Sequence, residues 1–194
     1  MTHGNNLRLV KIEDCIAILG IYAPFIKNTS VTFECEVPTA SDFSNRIRNI
    51  AAIYPWLIYE TEGGIVGYAY ASKYSERAAY RWSVNLSVYI KDDYQGKGIG
   101  QALYRALFEL LQATGYCNAY ACITLPNVRS ERFHESLGFK SAGVFHNAGY
   151  KLGKWHDVIW YEQAIGELSN PPTEPLKITD VATSEINNIL EKHT

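Results

Sequence analysis

The sequence lacks any surplus of positive charge: its 194 residues carry 18 Lys and Arg against 20 Asp and Glu, a net charge of −2. No overall basic field exists to hold nucleic acid or an anionic membrane, so an anionic ligand has to be gripped locally. Long hydrophobic runs are also missing. Nowhere do about 18 apolar residues follow one another, and Met1-Thr2-His3-Gly4-Asn5-Asn6 has no basic segment leading into an apolar one, which argues against membrane spanning and export. The four cysteines, Cys15, Cys35, Cys117 and Cys122, form no CxxC pair and stand apart from histidine at metal-ligand spacing. They read as reduced, mostly buried residues of a cytoplasmic protein with no metal, no nucleic-acid partner and no membrane partner, Cys122 among the core.

What is present is 47% apolar side chains in one ordinary domain length, enough to bury a core without staples. Leu7 to Ile12 reads as a first strand, and Cys15, Ile18, Leu19, Tyr22 and Phe25 recur at helical spacing, with Pro24 expected to end that helix early. Thr39-Ala40-Ser41-Asp42 fits a capping box ahead of Phe43, Ile47, Ile50 and Ala51. Trp56 to Glu60 and Ile65 to Ala71 are strand-like runs about a glycine turn. Ser83 to Ile90 alternates, with Val84, Leu86, Val88 and Ile90 on one face and Asn85, Ser87 and Tyr89 on the other. A helix carrying Ile99, Leu103, Leu107, Leu110 and Leu111 follows and closes at Gly115. Ala119 to Ile123 predicts a buried strand, Asn127 to Leu137 a short helix, and Phe139 to Phe145 and Asp157 to Tyr161 two last strands. The pattern is α+β around one mixed sheet. Past about Glu167, Pro171, Pro172 and Pro175 are expected to interrupt regular structure.

Between strand and long helix lies Tyr94-Gln95-Gly96-Lys97-Gly98-Ile99-Gly100. Free backbone N–H groups and a helix dipole converge there, which suits a phosphate. The spacing is neither G-x-x-x-x-G-K-[ST] nor G-x-G-x-x-G, so the two better-known phosphate loops are excluded.

Gln95 to Gly100 resembles the Q/R-x-x-G-x-G/A signature of the GNAT superfamily of N-acetyltransferases, and Asn127, Ser130 and His134-Glu135-Ser136-Leu137-Gly138-Phe139 resemble its second segment. Tyr54-Pro55-Trp56-Leu57, Ala79-Tyr80-Arg81-Trp82, Ser87-Val88-Tyr89-Ile90, Leu125-Pro126-Asn127, Gly149-Tyr150-Lys151 and Trp155-His156-Asp157 are similar to the phosphinothricin N-acetyltransferases and their arsinothricin and methionine sulfoximine relatives. The resemblance implies the acyl-CoA N-acyltransferase fold over residues 1–166. That fold has a mixed sheet, a V-shaped splay between two central strands and about four flanking helices; residues 167–194 are read as a proline-containing tail.

It further implies acetyl-CoA as co-substrate, held by Val88, Tyr89, Ile90, Gln95, Gly96, Lys97, Gly98, Ile99, Gly100, Gln101, Asn127 and Ser130. The acceptor is implied to be a small anionic amino-acid analogue bound by Phe33, Arg77 and Tyr80 in a homodimeric enzyme, with a role in herbicide or antibiotic resistance. His134 stands where the family places its proton-transfer histidine, and an imidazole works as acid or base near neutral pH. Asn85 departs from the pattern, since the family carries a carboxylate there and an amide cannot take a proton. Either Asn85 orients a water while His134 does the proton work, or the chain is a weakened acetyl-CoA-binding homologue, or it acetylates a different amine. His156 reads as part of a structural network.

Overall fold

The structure, a computed structural model, describes residues 6–194. Strand β1 (Asn6–Leu9) leads into helices α1 (Cys15–Asn28) and α2 (Ala40–Ala51), then strands β2 (Trp56–Thr61), β3 (Gly64–Lys73) and β4 (Ser83–Ile90). Helix α3 (Ile99–Ala113), strand β5 (Asn118–Thr124), helix α4 (Val128–Ser136), strands β6 (Lys140–Lys151) and β7 (Lys154–Ala164) and helix α5 (Thr183–Glu191) complete the chain. The seven strands make one mixed sheet in the order β1-β2-β3-β4-β5-β7-β6. Strands β4 and β5 pair in parallel. Such a pair needs a crossover, and α3 supplies it, burying the expected Ile99, Leu103, Leu107, Leu110 and Leu111 against the sheet.

Two cores result, one on each face. Helices α3 and α5 cover one with Leu103, Tyr104, Leu107 and Ile186. Helices α1 and α2 cover the other with Ile18, Ile26, Phe43, Ile47 and Trp56. Thr39 caps α2 as its sequence suggests, its hydroxyl accepting from Asp42 N–H at 3.1 Å. Among the described residues no helix is long and apolar enough to cross a membrane.

The feature that matters for function is how little β4 and β5 share. Their register covers Ser83, Val84 and Asn85 against Asn118, Ala119 and Tyr120. Beyond that β4 stays with β3 as far as Ile90, and β5 stays with β7 as far as Thr124. The sheet therefore opens between residues 86–90 and 121–124 as the V of the expected fold.

Several expectations need correction. Pro24 lies inside α1, which runs on to Asn28. Burial of Ile18, Ile21, Tyr22 and Ile26 on both sides of the proline outweighs its cost of about 3 kcal/mol. Strand β1 stops at Leu9, because the chain turns into a short 3-10 helix at Ile12, where Arg8 and the Lys11 N–H converge on Asp14. Strand β6 continues past Phe145 to Lys151 through an irregularity at Asn147, whose φ is 50°. There Asp157 accepts from the Asn147 N–H and pairs with His146, so residues that look like a strand end form a bulge. The helices number five among the described residues, because regular structure resumes after the prolines. Helix α5 buries Ile186, Ile189 and Leu190 in the α3 core. Of the cysteines, Cys15 and Cys117 are buried, whereas Cys35 and Cys122 are exposed. Cys122 is not a core residue: it sits on the face of β5 that looks into the V.

Candidate active site

One end of the site is built from backbone. Gly96 and Gly98 hold φ of 76° and 82°, a region that L side chains occupy only at a cost, and no atom lies within 4 Å of a Cβ placed at either. The loop is thus left-handed and uncovered. Gly98 is also the N-cap of α3 and offers no side chain to its first N–H groups, so the positive end of a 15-residue helix faces outward. Gly100 is small for a different reason. A Cβ there would lie 3.0 Å from Phe133 Cε2 and 3.3 Å from Ile90 Cδ1, so α3 can meet α4 and β4 closely.

Gln95 braces the loop, its amide donating to Ile90 O at 3.1 Å and to Asp92 Oδ1 at 2.8 Å. Lys97 lies over the Tyr94 ring at 4.8 Å, and Gln101 is exposed on the first turn of α3. Arg129, in the first turn of α4, donates to Gln95 Oε1 and adds a cation beside the glycines. Phosphate oxygens fit this donor set, and with them the pyrophosphate of acetyl-CoA.

The V itself is a narrow slot of about 70 Å³. Leu86, Ser87, Val88 and Tyr89 wall it on β4, residues 121–124 on β5, Tyr104 on α3, and Asn127, Ser130 and His134 around α4. Asn127 caps α4 by accepting from Ser130 N–H at 3.1 Å, so both residues also serve the helix. Ile90 does not reach the slot wall, its side chain being turned to Gly100.

His134 is buried, and burial depresses its pKa below the ordinary value, with the bond to Ser130 O pulling the other way. Its Nδ1 is 2.7 Å from that carbonyl oxygen, which can only accept, so Nδ1 carries the proton. That leaves the Nε2 lone pair to accept from the Tyr104 hydroxyl at 3.2 Å. The imidazole is therefore neutral with a defined tautomer. Burial raises the pKa of Tyr104.

Other predicted residues lie outside the slot's lining. Asn85 sits at the last paired position of the V, its Nδ2 donating to Lys73 O at 3.2 Å while its buried Oδ1 has no partner. The Phe33 ring lies over Gly149, where a Cβ would come within 2.3 Å of Phe33 Cε2. The segment carrying Phe33 is tied down on both sides: Tyr22 OH contacts Thr32 Oγ1 at 2.8 Å and donates to Glu34 Oε1 at 3.0 Å, and Arg46 grips both Glu34 oxygens at 2.6 and 3.3 Å.

Arg77 and Tyr80 belong to the β3–β4 connection. The Tyr80 ring meets Tyr74 edge-on at 5.4 Å, and Tyr74 stacks on Tyr120 at 4.5 Å. Among the described residues the Arg77 guanidinium has no hydrogen-bond partner, and Phe33, Arg77 and Tyr80 do not line the slot. Val31 does. The sequence does not single out Tyr104, Arg129 or Val31, and Tyr104 reads as one more core position of α3. His156 is buried and bonded to Lys151 O at 3.0 Å, the structural role expected of it.

Residues 7–160 match the family model of the acetyltransferase (GNAT) domain. The chain is 35% identical over 175 residues to a phosphinothricin N-acetyltransferase of Streptomyces viridochromogenes, covering 90% of this chain and 95% of that one. It is 31% identical over 172 residues to an L-methionine sulfoximine/L-methionine sulfone acetyltransferase of Pseudomonas aeruginosa, covering 86% and 98%. Among solved structures it resembles a phosphinothricin acetyltransferase from Sinorhizobium meliloti in complex with acetyl-CoA, with a TM-score of 0.84, 32% identity and coverage of 89% and 95%. A 7-stranded open sheet with a glycine loop at the head of α3, matched over most of its length, places this chain in the GNAT acetyltransferase family, as an acetyl-CoA-dependent N-acetyltransferase.

Proposed function

We propose that the chain moves the acetyl group from acetyl-CoA directly to the α-amine of a small anionic amino-acid analogue of the phosphinothricin kind, both substrates being bound at once. The slot between β4 and β5 carries this reading, because it opens just beyond the last β4–β5 pair, at Asn85, and brings His134, Asn127 and Ser130 of the α4 side against the β4 wall. The identities to phosphinothricin and methionine sulfoximine acetyltransferases support the acceptor class.

Residues 95 to 101 hold the pyrophosphate through backbone N–H groups and the α3 dipole, with Lys97 and Arg129 as counter-charges. Val88, Tyr89, Ile90, Asn127 and Ser130 guide the rest of the co-substrate along the V. The acceptor's amine must reach the thioester without its extra proton, since an ammonium has no lone pair. The unpaired Asn85 Oδ1 accepts an N–H from that nitrogen and orients it, but cannot take its proton. The proton lost by the amine ends on the departing thiolate. His134, neutral and bonded to Tyr104, relays it. Arg77 and Tyr80 take an anionic group of the acceptor, and Phe33 closes over it. Direct transfer also agrees with Cys122, whose thiol opens on the slot yet is pushed up to about 11 by desolvation, leaving it protonated and a poor nucleophile.

The protein works in the cytoplasm as a homodimer. Support for the pairing comes from β6, an edge strand exposed over most of its length, where Val144, Phe145, Tyr150 and the neighbouring Trp155 of β7 present apolar surface. Thiol release from acetyl-CoA, measured against a panel of amino acids and their phosphinate, sulfone and sulfoximine analogues, tests the whole reading. Turnover is expected with anionic analogues, and faster turnover of neutral amines or peptide N-termini would overturn it.

A further inference from the structure

At the Thr124 end of the slot lies a second cavity, of about 360 Å³. Its walls are the segment 28–31 leaving α1, Thr124 and Asn127 at the end of β5, and Lys154 and His156 of β7. Val31, Thr124 and Asn127 line both spaces, so the cavity and the slot are neighbours that share a wall. Hydroxyls and amides dominate the lining, and Lys154 is the only Lys, Arg, Asp or Glu in it. Val31, Pro126 and Leu152 are its apolar members, and a cation with no acid beside it suits an anion.

The hairpin that supplies Lys154 points the same way. A two-residue turn, Leu152 and Gly153 with φ of 51° and 79°, places Lys151 directly opposite Lys154 as a cross-strand pair. Like charges so placed repel. Neither lysine has a carboxylate partner among the described residues. Lys151 is 5% exposed and donates to Thr32 O at 2.7 Å. Glu34, the carboxylate on the segment that Lys151 fastens, is already taken by Arg46 and Tyr22. The turn also holds Leu152, a branched side chain, in a left-handed conformation that asparagine or glycine would adopt more easily. One cation without a carboxylate partner and a strained turn thus stand at the edge of an acid-free cavity that shares walls with the slot.

We propose that this cavity is the subsite for the distal anionic group of the acceptor, a carboxylate or phosphinate, with Lys154 as its counter-charge. The inference rests on the acceptor class given above and adds the residue that distinguishes anionic from neutral side chains. Arg77 approaches from the other end of the V, since its connection enters β4 beside Asn118 while the cavity lies at Thr124, and it is left for the α-carboxylate.

Phosphinothricin and methionine sulfone share the amino-acid head and differ in the charge of the side chain, so the pair isolates Lys154. In Lys154→Gln the KM for phosphinothricin should rise about tenfold, while those for methionine sulfone and acetyl-CoA move less than about twofold. Lys154→Arg should restore most of the loss. Equal shifts for both acceptors, or none, would overturn the subsite. Should the wild type acetylate neither acceptor, it is the functional reading that falls. Calorimetric titration of phosphinothricin into the CoA-loaded protein then decides the subsite without turnover: affinity about tenfold weaker in Lys154→Gln upholds it, while equal affinity or no binding to the wild type overturns it.

Discussion

The two sides of the slot are made of different material. On the proposed cofactor side the surface is mostly backbone: two left-handed glycines and the bare first turn of α3, with an asparagine cap on α4, all within residues 95–130. On the proposed acceptor side it is side chains from four separate segments, Phe33 after α1, Arg77 and Tyr80 before β4, Asn85 on β4, and Lys154 on the last hairpin. A backbone site depends on a few positions where only glycine or a cap will do. A side-chain site can change one member while the others stay, as the amide of Asn85 in place of the carboxylate expected from the resemblance illustrates. The first side is therefore suited to one unvarying ligand, and the second is where acceptors are distinguished.

The same contrast explains what could be read without coordinates. Glycine spacing and the cap signals Thr39 and Asn127 act over a few residues, so the loop, α2, α4 and the exact span of β4 are visible in the chain. Partners distant in sequence are not. Gly149 looks like a strand breaker until Phe33, over a hundred residues away, is found lying on it. Asp157 turns an apparent strand end at Asn147 into a bulge in the same manner. Helix α5 hides behind three prolines because the prolines forecast only their own neighbourhood, whereas Ile186, Ile189 and Leu190 answer to the exposed flank of α3. Tyr104 is indistinguishable from its apolar neighbours on α3 until His134 is seen beside it.

The largest expected effect tests whether proton transfer belongs to the cofactor wall. His134→Ala should lower kcat by about 10² to 10⁴ with little change in either KM, the usual worth of a positioned acid or base. Asn85→Glu asks the converse question of the acceptor wall. It should raise the rate near neutral pH by supplying a carboxylate beside the amine, although the Asn85 donation to Lys73 O is lost in the exchange. His134→Ala should remain slow in either background. Steady-state kinetics of the two single variants and the double variant separate the walls, and a His134→Ala enzyme of normal kcat would remove His134 from the reaction.

A smaller effect should divide cleanly between the two sides. Arg77→Ala should raise the KM for the acceptor about tenfold and leave that for acetyl-CoA nearly unchanged, since a charge-assisted bond of roughly 1.5 to 3 kcal/mol is removed on one side only. Gly98→Ala should do the reverse. Its Cβ meets no atom, but φ of 82° costs an L side chain roughly 1 to 2 kcal/mol, and relief of that strain would turn N–H groups away from the phosphate. If both variants move both Michaelis constants, the two surfaces are not independent.

The smallest effect comes from the neutral imidazole itself. Burial holds the His134 pKa below its unfolded value of about 6.5, so the unfolded chain binds a proton that the native protein refuses. The sign follows: this contribution to stability is complete above about pH 6.5 and is lost as the pH falls below it, at no more than about 1.4 kcal/mol per pH unit for one proton. In a chain of this size that amounts to about 2 to 4 °C in Tm per kcal/mol. Asp14 and Glu109, held low by Arg8 and by Lys192 with His193, lose their contributions with the same sign but at more acid pH, as protonation reaches the carboxylate range near 4. Between about pH 6.5 and 5 the histidine therefore acts largely apart from them. His134→Gln keeps a polar side chain at the position and removes the titration. Thermal melts of wild type and variant across that interval should converge as the pH falls, the wild type losing stability faster. Parallel curves would mean that His134 is free to protonate in the native protein, and an imidazolium in the cofactor wall would act as an acid from the start instead of as the relay that burial holds neutral.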